Sequence, residues 1–199
     1  MSVTAPQSDI LLFDPPELFK RLREACKHWK LAGNTDEIEG APLGHALDLH
    51  ATNFTLWALE DAVRDELALD SEIVRLKREI DTQNLKRNDL IDDLDECVAK
   101  ELVRLEINPD ESIPPVIESP GAVVDRLSVM ALRVEMFDFY LKNSGEVDRW
   151  LHKKQAAKVQ ANYLTLAAVG YVDDLLEGWK RLVVSRNLKC YGPSTAESK

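Results

Sequence analysis

In the stretch NFTLWALEDAVRDE, residues 53–66, a helical repeat of about 100° per residue gathers Asn53, Trp57, Glu60, Asp61 and Arg64 into one narrow arc. His50 lies at its edge, with Leu49, Leu56 and Val63 beside it. A helix ordinarily keeps such an arc for apolar packing. The same anomaly recurs in SEIVRLKREIDTQNLKRNDLIDDLDECVAKELVRL, where the apolar seam of Ile73, Leu76, Ile80, Ile91, Leu94, Val98 and Leu102 is interrupted by Asn84 and Arg87. Lys77, Asp81 and Asn88 flank the interruption. Further on, Asp125 and Ser128 flank the Val124 and Ala131 line, and Asn162, Leu166, Val169, Asp173 and Leu176 share an arc. An unpaired charge on an inward face costs several kcal/mol, so these residues must neutralise one another or meet a ligand.

Two chemistries fit that requirement. In one, the network is structural: Glu60 and Asp61 pair with Arg87, and Arg64 pairs with Asp81 or Asp173, fixing helix register at some cost in stability. In the other it lines a pocket between helices, where bundles commonly place their sites. Arg64, Arg87 and Arg126 would then form a clamp for a phosphate or carboxylate. Asn53, Asn84 and Asn88 would orient the ligand, Glu60 or Asp61 would act as base or cation ligand, and Trp57 and Asp125 complete the candidate set.

The elements that must carry these residues are all helical. Asp14 followed by Pro15 and Pro16 opens a short first helix that ends at Gly33. A linker, NTDEIEGAP, precedes a second helix from about residue 43 to 69, and Asp70 or Ser71 caps the long third. The prolines of INPDESIPPVIE make an ordered surface loop. Ser119 and Pro120 start a fourth helix, in which Val123, Leu127, Met130, Val134, Phe137 and Leu141 recur in a heptad-like seam before Asn143, Ser144 and Gly145 end it. A fifth helix of roughly forty residues, with a possible bend at Gly170, completes the set. No segment has strand periodicity. The expected fold is an all-α antiparallel bundle of four principal helices plus a short N-terminal helix. One domain over residues 14–188 is expected, between tails at 1–13 and 189–199.

Composition agrees with a single core: 199 residues, 45% apolar, with 8 Gly and 9 Pro. The net charge of -10 disfavours nucleic acid and anionic lipid as partners. Neither a membrane span nor a signal peptide is expected, which points to the cytoplasm. Cys26, Cys97 and Cys190 form no CxxC, and no His/Cys cluster has metal-ligand spacing, so no metal centre is expected and no cofactor is identified. DDLLE at 173–177 is similar to the aspartate-rich motifs of isoprenoid synthases, but a solvated acidic face is the ordinary reading. Helical nucleotide pyrophosphatases need ExxE, and Glu60 is followed at the third position by Val63. Glycine-rich phosphate loops and GxSxG elbows are absent from the sequence.

Three motifs in order carry a family resemblance: LWxxEDxxR at 56–64, KRxIDxxNxxRNDxIxxxD at 77–95 and SPGxxxDRLS at 119–128. Together they resemble the bacterial family catalogued as domain of unknown function 4254. The ending Lys189, Tyr191 and Pro193 is similar to that family's close. Ala58 stands where the resemblance implies histidine after the tryptophan, and Gly192 where it implies asparagine. The resemblance implies a helical protein and supplies no reaction. Three functions therefore stand open: binding of a small anionic ligand bearing phosphate or carboxylate; a structural or interaction module, for which a second copy of the chain is one partner; and a metal-dependent hydrolase of a diphosphate-containing small molecule.

Overall fold

A computed structural model of the protein describes residues 14–32, 44–65 and 67–184. The expected tails, the NTDEIEGAP linker, the Gly33 stop and the Lys189 to Pro193 ending lie outside the described residues. Five helices follow in order: α1 (Pro15–Ala32), α2 (Gly44–Val63), α3 (Asp70–Arg104), α4 (Pro120–Asn143) and α5 (Val147–Leu176). The fold is an all-α bundle, as the periodicity predicts.

Each helix follows from its local sequence. Asp14 accepts the Glu17 N–H at 3.1 Å, which occupies one of the first-turn donors that α1 leaves open. Leu18, Leu22, Ala25, Cys26 and Trp29 then recur every three or four residues and are fully buried. At α4, Ser119 accepts the Ala122 N–H and Pro120 fills the first turn, as expected. The cap expected of Asp70 or Ser71 is absent: Leu69 holds the N-cap position of α3 without a side-chain bond, and Asp70 and Glu72 lie within the first turn. There their charge favours the helix dipole instead.

The fifth helix is shorter than the periodicity suggests. Gly178 takes a left-handed φ of 70°, and the Trp179 N–H turns back to the Asp174 carbonyl at 2.9 Å. This is a glycine-terminated C-cap, which ends the helix at Leu176. The chain then returns along the 105–119 connection. Arg181 donates its N–H to Pro114 and accepts from Val116, at 3.1 and 3.0 Å, so that loop is held in place.

The central element is α4, which packs against all four of the others. Short turns make α2 and α3, and likewise α4 and α5, antiparallel neighbours. Arg87 meets Asp125 while Asp95 meets Gly121, so α3 and α4 also run antiparallel. Arg23 and Lys30 of α1 reach the Glu135 carboxylate and carbonyl of α4. The core joins Leu18, Leu22, Leu49, Leu94, Leu127 and Ala131 from four helices. Among the described residues no helix is long and apolar enough to cross a membrane.

The rotation of α5 departs from expectation. Its buried line is Ala157, Ala161, Ala168, Val172 and Leu175, whereas Asn162, Leu166 and Asp173 are exposed. Small residues face inward because they let α5 approach α4 closely. The polar arc expected on this helix is therefore outside the bundle.

Candidate functional site

The polar interruption of α3 is met at the same level by α2 and α4. Both oxygens of the buried Asp125 carboxylate are engaged: Arg87 donates from Nε to Oδ1 at 2.8 Å and from Nη2 to Oδ2, a bidentate pair. Asn53 donates one amide proton to the same Oδ1 and the other to Ser128 Oγ, each at 2.9 Å. The Ser128 hydroxyl proton is then free for His50 Nδ1, 2.8 Å away. A chain of five side chains thus ties α2, α3 and α4 together. Hydrogen bonding to Asp125 raises the Arg87 pKa above its ordinary value, so its charge is retained.

His50 ends the chain in an apolar setting, fully buried, with its ring tilted against that of Trp29 at 5.2 Å between centroids. Its Nε2 makes no hydrogen bond. Burial pushes its pKa down to about 3. The unfolded chain therefore takes a proton near pH 6.5 that the folded chain refuses. Stability is complete above that value and falls as pH drops towards 3. A loss of about 2 kcal/mol is expected from this group between pH 7.5 and 5. Urea unfolding across that range should show the slope, and His50→Gln should flatten it.

A second junction lies two turns along α3. Asp95, on the apolar side of the helix between Leu94 and Val98, is buried and accepts the Gly121 N–H at 2.7 Å. Desolvation raises its pKa, against the opposing effect of the Ser119 and Gly121 hydrogen bonds. The carboxylate thus caps the start of α4 from another helix. Sequence reasoning left Asp95 out of the candidate set, although its place on the apolar stripe was a usable signal. It also missed Glu135, buried on α4 and bound by Arg23 at 2.6 Å.

The other candidates form a rim. Glu60 is reached by Arg64 and Lys77 at 3.9 and 3.8 Å, all three being substantially exposed. Asp61 accepts from Arg64 at 3.1 Å and from the Tyr140 hydroxyl. Trp57 is half-buried, its Nε1 donating to Tyr140 at 3.4 Å and its ring edge-on to Phe137. Arg126 points away from this group and pairs with Glu118. The pairings expected from sequence are thereby corrected: Arg87 takes Asp125 rather than Glu60 or Asp61, and Arg64 takes Asp61 and Glu60 rather than Asp81 or Asp173. Periodicity assigns a face to each residue but not the height at which helices meet.

Two cavities open beside the buried chain, with Arg87 in the wall of both. One, of about 370 Å³, lies between α2, α3 and α4 and is lined by Asn53, Trp57, Glu60, Arg64, Asn84, Arg87 and Arg133. The other, of about 740 Å³, lies at the start of α4 and includes Asp95, Glu118, Ser119, Asp125 and Arg126. Asn88 lines neither. Arg133, which sequence reasoning did not select, is exposed and makes no ion pair among the described residues. Ala58 is also exposed, so the departure from the motif at that position leaves the buried chain intact.

Fold and site together define a helical bundle in which one carboxylate on α4 receives polar side chains from α2 and α3. A family model described as Protein of unknown function (DUF4254) matches residues 45–184, and the chain belongs to that family. The match begins with α2 and runs past α5, so all three motifs fall within it. Neither the curated proteins nor the solved structures gave a match.

Proposed function

We propose that the protein binds a small molecule bearing a phosphate or carboxylate in the cavity between α2, α3 and α4. The observation that carries this reading is Arg133, a guanidinium without an ion-pair partner among the described residues, in a wall that also holds Arg64 and Arg87. Three guanidiniums stand there against one carboxylate, Glu60, which Lys77 and Arg64 already attend. The volume of about 370 Å³ suits a small ligand. Arg133 and Arg64 supply the anion contact, Asn84 a further polar contact, and the Trp57 ring an apolar wall.

The buried chain itself supports a structural role. Asp125, Asn53 and Ser128 satisfy one another, and Arg87 is committed to Asp125. In this reading the chain fixes the rim, and the rim does the binding. A metal-dependent hydrolase draws less support, because no three His, Cys, Asp or Glu side chains gather into a cation site among the described residues.

A thermal-shift screen of inorganic phosphate, sugar phosphates, nucleotides and dicarboxylates tests the proposal. A true ligand should stabilise the wild type by about 2.7 kcal/mol at roughly a hundredfold excess over its Kd. Arg133→Ala should fold normally, since its side chain is exposed, and lose most of that shift. No hit, or hits indifferent to Arg133, would leave the structural role alone.

A further inference from the structure

The seam of α4, a candidate for pairing with another chain, is occupied within the bundle: Leu127, Met130 and Val134 are buried. The apolar face left open is on α5. Opposite its buried alanines run Ala156, Val159, Tyr163, Leu166, Ala167 and Gly170, all exposed or nearly so. Tyr163 and Leu166 are 71% and 70% exposed, and none of the described residues covers this stripe. On an exterior with a net charge of -10, nearly four helical turns of apolar surface are exceptional.

Charge at the two ends of the stripe is of opposite sign. Arg149 and Lys153 precede it, with His152 between them; Asp173, Asp174 and Glu177 follow it. We propose that two copies of the chain associate through α5, antiparallel, about a two-fold axis at Tyr163. That register sets Ala156 opposite Gly170, Val159 opposite Ala167, Lys153 opposite Asp173, His152 opposite Asp174 and Arg149 opposite Glu177. The small pair lets the helices approach to the usual interaxial distance of about 8–10 Å. A parallel arrangement would set like charges against like. Such a contact is self-complementary and closed, as a two-fold interface must be. Within the single chain Arg149 pairs with Glu146 at the surface, where long side chains exchange partners at little cost, and the partly exposed Lys153 lies over the Trp150 ring.

Sedimentation equilibrium of the full chain tests this. The expected mass is twice 22.5 kDa. Leu166→Glu places a carboxylate on the exposed stripe without touching the core, and should weaken the dimer by about tenfold or more. Arg149→Glu should weaken it too, and Glu177→Arg in the same chain should restore it. Each of those two changes suits the helix dipole at its own end, so a lost dimer would not be a lost helix. Under mild oxidation, Tyr163→Cys should cross-link to its own copy above the level seen in wild type. Lys153→Cys should not, because the two copies of that position are separated by about 30 Å along the axis. A monomer at tens of micromolar overturns the proposal and gives the stripe to another occupant. A dimer indifferent to Leu166→Glu, or equal cross-linking at both cysteines, also overturns it.

Discussion

Asp125→Ala is expected to destabilise the fold by about 3–5 kcal/mol, the cost of removing one partner from a buried charged pair. Urea unfolding at pH 7 measures it. The substitution takes the acceptor from two donors at once. Asn53 loses one of its two bonds and, being 4% exposed, has little access to solvent to replace it. Arg87 loses both, but about a third of its side chain is exposed, so water in the adjoining cavities recovers part of its hydration. The lower end of the range is therefore expected. Asp125→Asn should cost less, since the amide oxygen still accepts from Asn53 while the charge opposite Arg87 disappears.

A double-mutant cycle separates this from simple loss of packing. With Arg87→Ala in the background, the penalty of Asp125→Ala should fall by about 1–3 kcal/mol, the coupling ordinary for residues in one hydrogen-bonded network. If the two penalties add, the pair does not interact in solution. Ser128→Ala should have a smaller effect than either, because the groups it leaves unpaired, one Asn53 N–H and the His50 Nδ1, are neutral, and the Asn53–Asp125 bond stays in place.

Much of the site could be read from periodicity, and the limits of that reading are physical. The interruption of the α3 seam at Asn84 and Arg87 was visible because apolar residues resume on the same arc at Ile91 and Leu94. Asp125 and Ser128 were visible because they flank the Val124 and Ala131 line. Which carboxylate Arg87 would choose was not, since that depends on how far α4 slides along α3. The rotation of α5 was misread for a different reason. It carries Ala157, Ala161 and Ala168 on one face and Val159, Tyr163 and Leu166 on the other, so both sides look apolar. Size decides the matter where helices must lie close, and hydropathy alone does not encode it. The early end of α5 at Leu176 rested on Gly178 acting as a C-cap, a signal overridden by the continuing apolar pattern beyond it.

The slide of α4 along α3 is itself fixed at one residue, and Gly121→Ala is expected to disturb it. A Cβ at this position would stand 2.3 Å from the backbone oxygen of Ile91 and 3.0 Å from Asp95 Oδ1. The first of those atoms belongs to the α3 backbone and cannot turn aside as a side chain would. The helices must therefore part, and the Gly121 N–H then draws away from Asp95, leaving a buried carboxylate whose ionised form has lost a hydrogen-bond donor. Overpacking alone costs about 1–3 kcal/mol, and an unsatisfied buried polar group adds about 1–3 kcal/mol more. The loss should exceed that of Ala122→Gly one position on, where the change removes only helix propensity, worth about 1 kcal/mol. Parting of α3 from α4 also carries Arg87 away from Asp125 one turn further along α4. Gly121→Ala and Asp125→Ala should thus be less than additive when combined. Full additivity, or a Gly121→Ala protein as stable as wild type, would mean that α3 and α4 do not approach this closely in solution.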